Sequence, residues 1–548
     1  MLSTASTTIP YTAGLAGVLS WVFLHFQKVR GDIALVLETF IIGAVYLANY
    51  AAGHSTPLRC AFGFLVTHAL TLMSVTVAYR LSPFHPLARF PGPLINKVTS
   101  LKAAHIVFSG RRHLIIQSLH QKYGKFVRIA PNHVSINSRA AVAPIYSSSV
   151  AMDKSDAYSI RQLPGDGLFF MLPRVAHGHR RDMWAKGFTN SALELYQPIL
   201  ERRTMDLVEC MKRRANENGV VNLSRCIEHW SYDVMGDIVF GEESGLELMR
   251  DGDPSGYVKG GEQATIAFDC LGEVPWLFEI LWYLPVTGAI RSLQGLASQL
   301  LKQRKPIASA DDRHDIASHL LGVSGSTGKH LTFDELTMDA IFAIQAGSDT
   351  SANVLQYTFF FIISHPEVFK KLQEELDQAF PNHEMPLDFA VMANLPYLNA
   401  VVYESLRLGT PLSGLPRITP SEGAMLDGEF IPGNTVVSVP AYTQQLDPSN
   451  FWPRTREFVP ERWLPGGLGA DSRTEPSAIM SFSFGPFGCL GRTLAIQELR
   501  IVVARLSLCF DMCSPDGFDA KEYHSRIRNI RTTLFPEPLG VVARQRLG

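Results

Sequence analysis

Phe482-Ser483-Phe484-Gly485-Pro486-Phe487-Gly488-Cys489-Leu490-Gly491-Arg492 runs from a loop of turn residues straight into an apolar helical pattern, Leu494, Leu499, Val502 and Leu506. This predicts a helix whose N-terminus carries Cys489. There the helix dipole and unpaired N–H groups favour a thiolate and are expected to lower the thiol pKa, which makes Cys489 a candidate metal ligand. The flanking glycines let the backbone come close to a flat group and aim amides at the sulfur. A lone cysteine near a chain's end is ordinarily a small buried hydrophobe; the glycine pattern sets this one apart.

Working towards the N-terminus, three further clusters precede the cysteine loop. Pro460-Glu461-Arg462-Trp463 is the nearest. Glu404-Ser405-Leu406-Arg407 places an acid and a base at i and i+3, on one helix face, where a charge-assisted pair can form. Ala346-Gly347-Ser348-Asp349-Thr350 lies within the apolar run Leu336 to Ile363, so an acid and a hydroxyl sit side by side on a core helix. The segment resembles the oxygen-activating one of a haem-thiolate enzyme family, and that resemblance implies a proton relay at a water-holding kink, with Thr350 holding the hydroxyl and Asp349 connecting it to solvent. The plainer alternative is a Thr350 hydroxyl bonded back to a preceding carbonyl and an Asp349 on the surface. Further upstream, His177-Gly178-His179-Arg180-Arg181-Asp182-Met183-Trp184 puts His177 and Arg181 one turn apart, able to face one anion together.

Taken in order, these segments resemble the cytochrome P450 family. F-x-x-G-x-x-x-C-x-G matches its haem-binding signature through Phe482, Gly485, Cys489 and Gly491. Glu404 and Arg407 match its E-x-x-R, Arg462 the arginine of its P-E-R-F/W segment, and Asp349 and Thr350 its oxygen-activating A-G-x-D/E-T. The resemblance implies haem b ligated axially by Cys489, a Glu404–Arg407–Arg462 network bracing the haem loop, and propionates held by His177, Arg181, Arg417 and the indole of Trp184. One position departs: the family usually has arginine two residues before the cysteine, and here it is Phe487, so propionate anchoring must rely more on other groups. Arg180 and Lys186 are read either as a basic docking face or as ordinary solvated surface.

The resemblance spans about residues 83–545 and implies the family's mainly α fold with a small β region. The implied reaction uses dioxygen and NADPH-derived electrons to insert one oxygen atom into an apolar small molecule, the thiolate favouring O–O cleavage. Electrons are expected from a separate NADPH-cytochrome P450 reductase, since no Gly-rich dinucleotide fingerprint appears in the chain. Candidate pocket residues are Phe169, Phe170, Gln345, Ala346, Leu412 and Leu415. The polytopic N-terminus and Phe487 are similar to fungal secondary-metabolism members, which points to terpenoid-like or related substrates. Two rivals stand beside this reading. A haem-thiolate isomerase or dehydratase would need no reductase, and Asp349-Thr350 argues against it. A polytopic receptor or transporter would make the ordered motifs coincidence.

Composition is consistent with such an enzyme. Lys+Arg 50 against Asp+Glu 51 gives a formal charge of −1, which offers nucleic acid no attracting field. Seven cysteines without any Cys-x-x-Cys pair disfavour a disulfide framework or structural zinc. Residues 1–82 read as a membrane anchor: apolar runs span Tyr11 to Phe26, Ile33 to Ala52 and Cys60 to Tyr79, the second carrying only Glu38 and the third only His68. The first run is open to two readings, a third span or an interfacial helix. With Lys28 and Arg30 after the first run, only Arg59 after the second and Arg80, Arg89, Lys97 and Lys102 after the third, three spans would put the N-terminus outside and the large domain in the cytosol, and a cytosol-facing endoplasmic reticulum location fits such an anchor. Residues 83–93, with Pro83, Pro86, Pro91 and Pro93, are expected to form a stiff hinge, and 94–548 the catalytic domain. Within it, helices are expected over Leu336–Ile363, Pro366–Phe380 and Tyr397–Leu408, hairpins over Ala424–Val439, and surface loops over Asp251–Gly261 and Gly466–Ser477.

Overall fold

The computed structural model describes residues 2–147, 152–159, 165, 167–241, 244–304, 315–321, 330–412 and 414–546. Three helices open the chain: Leu2–Phe26, Gly31–Ala51 and Pro57–Leu81. The second and third are long and apolar enough to cross a membrane. The first packs along the third. Their polar side chains find one another: Ser20 Oγ lies 2.9 Å from His68 Nε2, and His68 Nδ1 lies 2.9 Å from Glu38 Oε1, which ties the three helices together. The turn between the first two helices rests on the large domain, where Gly31 N donates to Glu279 at 2.6 Å and Lys28 pairs with Asp156 at 3.0 Å.

The proline-rich segment 83–93 contains no helix, as fixed proline dihedrals require. It is nonetheless docked: Leu87 and Phe90 are buried, and Arg128 N donates to the Pro91 carbonyl at 2.7 Å.

The large domain is built around the helix Phe333–Ser364, 32 residues long. A capping box starts it, Thr332 accepting from Glu335 N while Glu335 reaches back to Thr332 N. The helices Leu223–Phe240 and Arg492–Cys509 pack against it. Gly347 permits the first approach, because a β-carbon there would run into Met235. The second uses the apolar stripe read from sequence, and Leu494, Leu499, Val502 and Leu506 are all buried; each such side chain contributes about 1.5–3 kcal/mol. Helices Pro366–Ala379 and Pro396–Leu408 follow the expected bounds within a residue.

A five-stranded sheet lies beside the helices in the order Phe126–Ala130, His133–Ile136, Val436–Ser438, Arg417–Ile418, Asp153–Lys154. The second and third strands run parallel; the other neighbours are antiparallel. The Ala424–Leu426/Glu429–Ile431 hairpin turns at Asp427-Gly428, where both residues adopt positive φ. Two expected loops hold more structure than anticipated. Tyr257 begins a helix to Leu271, so the Asp251–Gly261 loop is shorter, and Arg473–Thr474 pairs with Phe451–Trp452 inside the Gly466–Ser477 stretch. The helix begins where Asp253 accepts from Tyr257 N at 2.7 Å, a cap masked in sequence by the surrounding glycines.

Candidate active site

The cysteine loop is held by its own backbone. Cys489 N donates to the Phe482 carbonyl at 2.8 Å, and Gly488 N to that of Gly485 at 2.9 Å. Gly485 has φ +61° and lies against the Tyr146 backbone, so both conformation and space demand glycine there. Gly491 differs. It caps the helix Arg492–Cys509 at φ −79°, and a β-carbon would meet Cys489 Sγ and Phe188 only at 3.9 and 3.7 Å. Cys489 itself sits two residues before that cap. Its side chain keeps accessible surface although the sulfur lies deep in the protein, as a ligand atom facing an interior space should. Burial pushes the thiol pKa up, against the pull of the Gly491 amide and the Arg181 guanidinium. Desolvation is thus a larger effect on the thiol than the neighbouring donors that favour the thiolate.

Behind the loop, the Glu404 carboxylate accepts from five donors: Arg407 Nε and Nη2 at 2.8 and 2.7 Å, Arg462 Nε at 3.0 Å, Trp463 Nε1 at 3.0 Å and Val459 N at 3.0 Å. Arg407 spends its remaining donors on the Gln445, Thr455 and Glu457 carbonyls, and Arg462 on those of Pro453 and Arg454. All three charged side chains are fully buried. The network clamps the Arg454–Trp463 segment to the helix Pro396–Leu408.

On the central helix, Thr350 Oγ1 donates to the Ala346 carbonyl at 2.6 Å, and the helix runs through this point as regular α structure. The hydroxyl's lone pairs still accept. Asp349 is half-buried and not on the surface: its carboxylate accepts from Gln345 Nε2, which also donates to Thr265 at 3.2 Å, while the Tyr232 hydroxyl donates to Gln345 Oε1 at 3.2 Å. Burial lifts the Asp349 carboxyl to about 7, partly opposed by the Gln345 hydrogen bond. Beside this chain lies a group of rings, Phe169 stacked on Phe342 at 4.2 Å, with Phe170 and Phe268 edge-on. Leu412 pairs through its backbone with Thr532, and Leu415 packs on the sheet side with Tyr146, whose hydroxyl donates to its carbonyl at 2.9 Å.

Four basic side chains converge on Phe487. The His177 ring meets it edge-on at 4.5 Å; Arg417 and Lys154 lie over it at 4.9 and 5.0 Å; Arg181 Nη1 donates to the neighbouring Gly488 carbonyl at 2.6 Å. Arg417 also donates to Tyr158 at 2.9 Å. Desolvation, reinforced by Lys154, Arg181 and Arg417, drops His177 to about 3, so its imidazole is neutral.

A family profile described as Cytochrome P450 matches residues 90–525. The chain belongs to the cytochrome P450 family. Among its relatives are cytochrome P450 monooxygenase FCK2 of Fusarium pseudograminearum, 29% identical over 97% of this chain and 96% of the relative, and tryprostatin B 6-hydroxylase of Aspergillus fumigatus, 31% identical over 83% and 80%. Cytochrome P450 monooxygenase sthD of Phaeosphaeria nodorum is 31% identical over 84% of this chain and 95% of its own length. This P450 is thus a monooxygenase that uses haem with a cysteine thiolate ligand, dioxygen and NADPH-derived electrons, takes its electrons from a redox partner and acts on a small molecule.

The residues present fit a haem. Among the described residues, buried His177 Nδ1 and Arg417 Nε have no hydrogen-bond partner, and no ion pair with a carboxylate involves Arg181, Arg417 or Lys154. A buried group of cations needs an anion, and the two propionates of a haem supply one. When bound, the haem supplies the reducible iron at which dioxygen is activated.

Two sequence expectations are corrected here. Arg180 is buried and bound to Glu335 at 2.6 Å and Asp339 at 2.9 Å, so it belongs to no docking face. Trp184 donates its indole N–H to Asp339 at 3.0 Å and does not serve a propionate. Asp339, fully buried, also accepts from Leu168 N at 2.7 Å and so fixes the segment that carries Phe169 and Phe170. Lys186 is exposed. Sequence reading passed over Asp339, Lys154, Phe268, Phe342 and Glu498, a buried acid that accepts from Ser351 and is lifted to about 7 by desolvation.

Proposed function

We propose that this P450 hydroxylates an apolar secondary metabolite, with Cys489 ligating the haem iron and Thr350 and Asp349 guiding protons as dioxygen is reduced. The observation that carries this reading is the adjoining of two unlike surfaces on the central helix: the Phe169, Phe170, Phe268 and Phe342 rings beside the Asp349–Gln345–Thr265 chain. The rings favour an apolar substrate. Asp349, with its carboxyl near 7, can exchange protons at neutral pH. Glu404, Arg407 and Arg462 hold the loop that presents Cys489; His177, Arg181 and Arg417 hold propionates.

The substrate class is a terpenoid-like or other apolar secondary metabolite; one relative is named for the hydroxylation of tryprostatin B. Residues 1–82 form the anchor and 94–548 the catalytic domain. All three N-terminal helices insert, with the domain on the cytosolic face of the endoplasmic reticulum, in contact with lipid and served by NADPH-cytochrome P450 reductase. The docking of the Lys28–Gly31 turn on the large domain supports this, because it puts both on one side of the membrane. The test is reconstitution with that reductase, NADPH and ¹⁸O₂ against a panel of apolar metabolites. One ¹⁸O atom per product molecule is expected. Turnover without reductase, giving product free of ¹⁸O, would instead establish an isomerase or dehydratase.

A further inference from the structure

The turn between the first two N-terminal helices grips the large domain on both sides of a seam. On one side Lys28 Nζ pairs with Asp156 Oδ2 at 3.0 Å. Asp156 opens the short helix Asp156–Tyr158, and the Tyr158 ring meets that of Phe169 edge-on at 5.2 Å. On the other side Gly31 N donates to the buried Glu279 carboxylate at 2.6 Å, and the Tyr283 hydroxyl donates to Asp32 at 3.1 Å. Glu279 belongs to the helix Pro275–Leu281, whose Phe278, with Trp282 just beyond it, packs in one apolar cluster with Phe170 and Phe268. Each side therefore leads within a few residues to the rings assigned to the substrate. The two sides touch at Ala157 and Gly272, where a β-carbon on Gly272 would lie 2.7 Å from the Ala157 carbonyl oxygen.

The Gly31 contact is closely fitted. Gly31 is buried, and a β-carbon there would run into the Trp276 carbonyl, so glycine is what lets the second helix begin this close to the domain. Its N–H lies in the first helical turn, where no carbonyl of the helix can take it, and a carboxylate suits that positive end. Asp32 stiffens the turn by accepting from Arg30 at 3.1 and 2.6 Å as well as from Tyr283. The second helix is in turn held to the third through Glu38 and His68. One covalent connection, through residues 83–93, is enough to tether a domain to a membrane. A second attachment, buried and charged, at a turn some fifty residues earlier asks for another purpose.

We propose that Lys28, Gly31 and Asp32 are positioning residues for the substrate: their turn staples the Asp156 and Glu279 sides of the seam together and sets how fast an apolar molecule passes into and out of the ring-lined pocket. For the pocket to open along this line, Ala157 must part from Gly272, and the turn bridges the two sides. Opening therefore requires Lys28 to leave Asp156 or Gly31 to leave Glu279. The first pair is exposed and weak; the second is buried and charge-assisted. The Asp156 side is then the one that swings, while the Glu279 side stays with the membrane helix. In this account the N-terminal module is part of the substrate site as well as an anchor. The inference rests on reading the Phe169, Phe170, Phe268 and Phe342 rings as the substrate pocket, and the test keeps the two apart.

The experiment uses the full-length holoprotein in lipid nanodiscs, with haem content recorded first for every variant. Stopped flow then follows the Soret shift on binding two azoles that ligate haem iron, imidazole and the bulky, apolar clotrimazole. Gly31→Ala suits a helix and spoils only the fit against Trp276. Clotrimazole should both bind and leave on the order of tenfold faster, as expected for loss of one charge-assisted hydrogen bond. Its affinity should hardly change, because the staple closes the empty and the filled pocket alike. Imidazole, small enough to pass without the seam opening, should bind at the wild-type rate. Lys28→Asp should move both clotrimazole rates the same way by less, and Lys28→Asp combined with Asp156→Lys should bring them back by reversing the pair. Unchanged clotrimazole rates in Gly31→Ala would overturn the proposal. Faster dissociation alone would also overturn it and make the contact a brace for the shape of the pocket, as would an equal acceleration of imidazole. A wild type that binds imidazole and not clotrimazole would instead refute the reading of the rings as an apolar pocket, and one whose Soret band responds to neither would refute the haem reading.

Discussion

Glu404→Gln preserves shape and removes one charge, and its cost can be worked from the five donors that converge on Glu404. The amide keeps one acceptor oxygen, but its NH₂ group points at donors, Arg407 and Trp463 or Arg407, Arg462 and Val459 depending on its flip. Two guanidiniums, both fully buried, lose the one carboxylate that pairs with them among the described residues. Removing one partner from a buried ion pair costs about 3–5 kcal/mol, against a total stability of roughly 5–15 kcal/mol. For a domain the size of residues 90–525, the unfolding entropy is on the order of 1 kcal/mol/K, so the thermal midpoint should drop by about 3–5 °C. Haem incorporation should drop with it, because Arg407 also donates to the Gln445 carbonyl, and Gln445 Oε1 accepts from Met480 N just ahead of the cysteine loop. Arg462→Ala should cost less, since the carboxylate then still binds Arg407, Trp463 and Val459. Thermal unfolding monitored by circular dichroism, with haem content per protein measured alongside, decides the matter. An unshifted midpoint with full haem content in Glu404→Gln would refute the reasoning, as would an Arg462→Ala variant less stable than Glu404→Gln.

Thr350→Ala should keep haem content and substrate-induced spectral shifts while product per NADPH falls and hydrogen peroxide rises, on the order of tenfold, below the ~10²-fold usual for a positioned proton-transfer group because water partly replaces the hydroxyl; unchanged coupling would exclude the role. Asp349 keeps its proton up to about 7 against an ordinary 3.8, so coupling should decline as pH rises through about 7 and Asp349→Asn should abolish that titration. The same raised pKa means that between about pH 4 and 7 the folded chain holds a proton the unfolded chain has lost, so the Asp349 contribution to stability falls as pH rises across that window; pH-dependent unfolding of wild type against Asp349→Asn measures it. Deleting residues 1–82 should leave a haem-binding domain that carbonate extracts from membranes, and retention of integral behaviour would move the anchor boundary.

What was legible in the sequence was local. The helices around Leu336–Ile363 and Pro396–Leu408 follow from periodicity, and Glu404 with Arg407 from a spacing of three. Arg462 joins them across 58 residues only because an ordered motif points to it. Where no motif bridges the distance, reading failed. Arg180 and Trp184 were taken for surface and cofactor ligands because Asp339, their partner, lies 159 and 155 residues away. Lys154 was passed over because only the ladder with Arg417 brings it over Phe487. The rise in the Cys489 pKa escaped for a related reason: a helix N-terminus is visible in sequence, while the depth of burial around the sulfur is a property of the whole fold.

The most direct test of the whole assignment is the reduced CO difference spectrum of Cys489→Ser beside the wild type. Serine keeps the size and the backbone hydrogen bond to Phe482 and removes the soft, electron-rich donor. The wild type should show the thiolate–CO band, and Cys489→Ser should lose that band together with monooxygenase activity. A thiolate–CO band that persists unchanged in Cys489→Ser would place the ligand on another cysteine and contradict the site built around this loop.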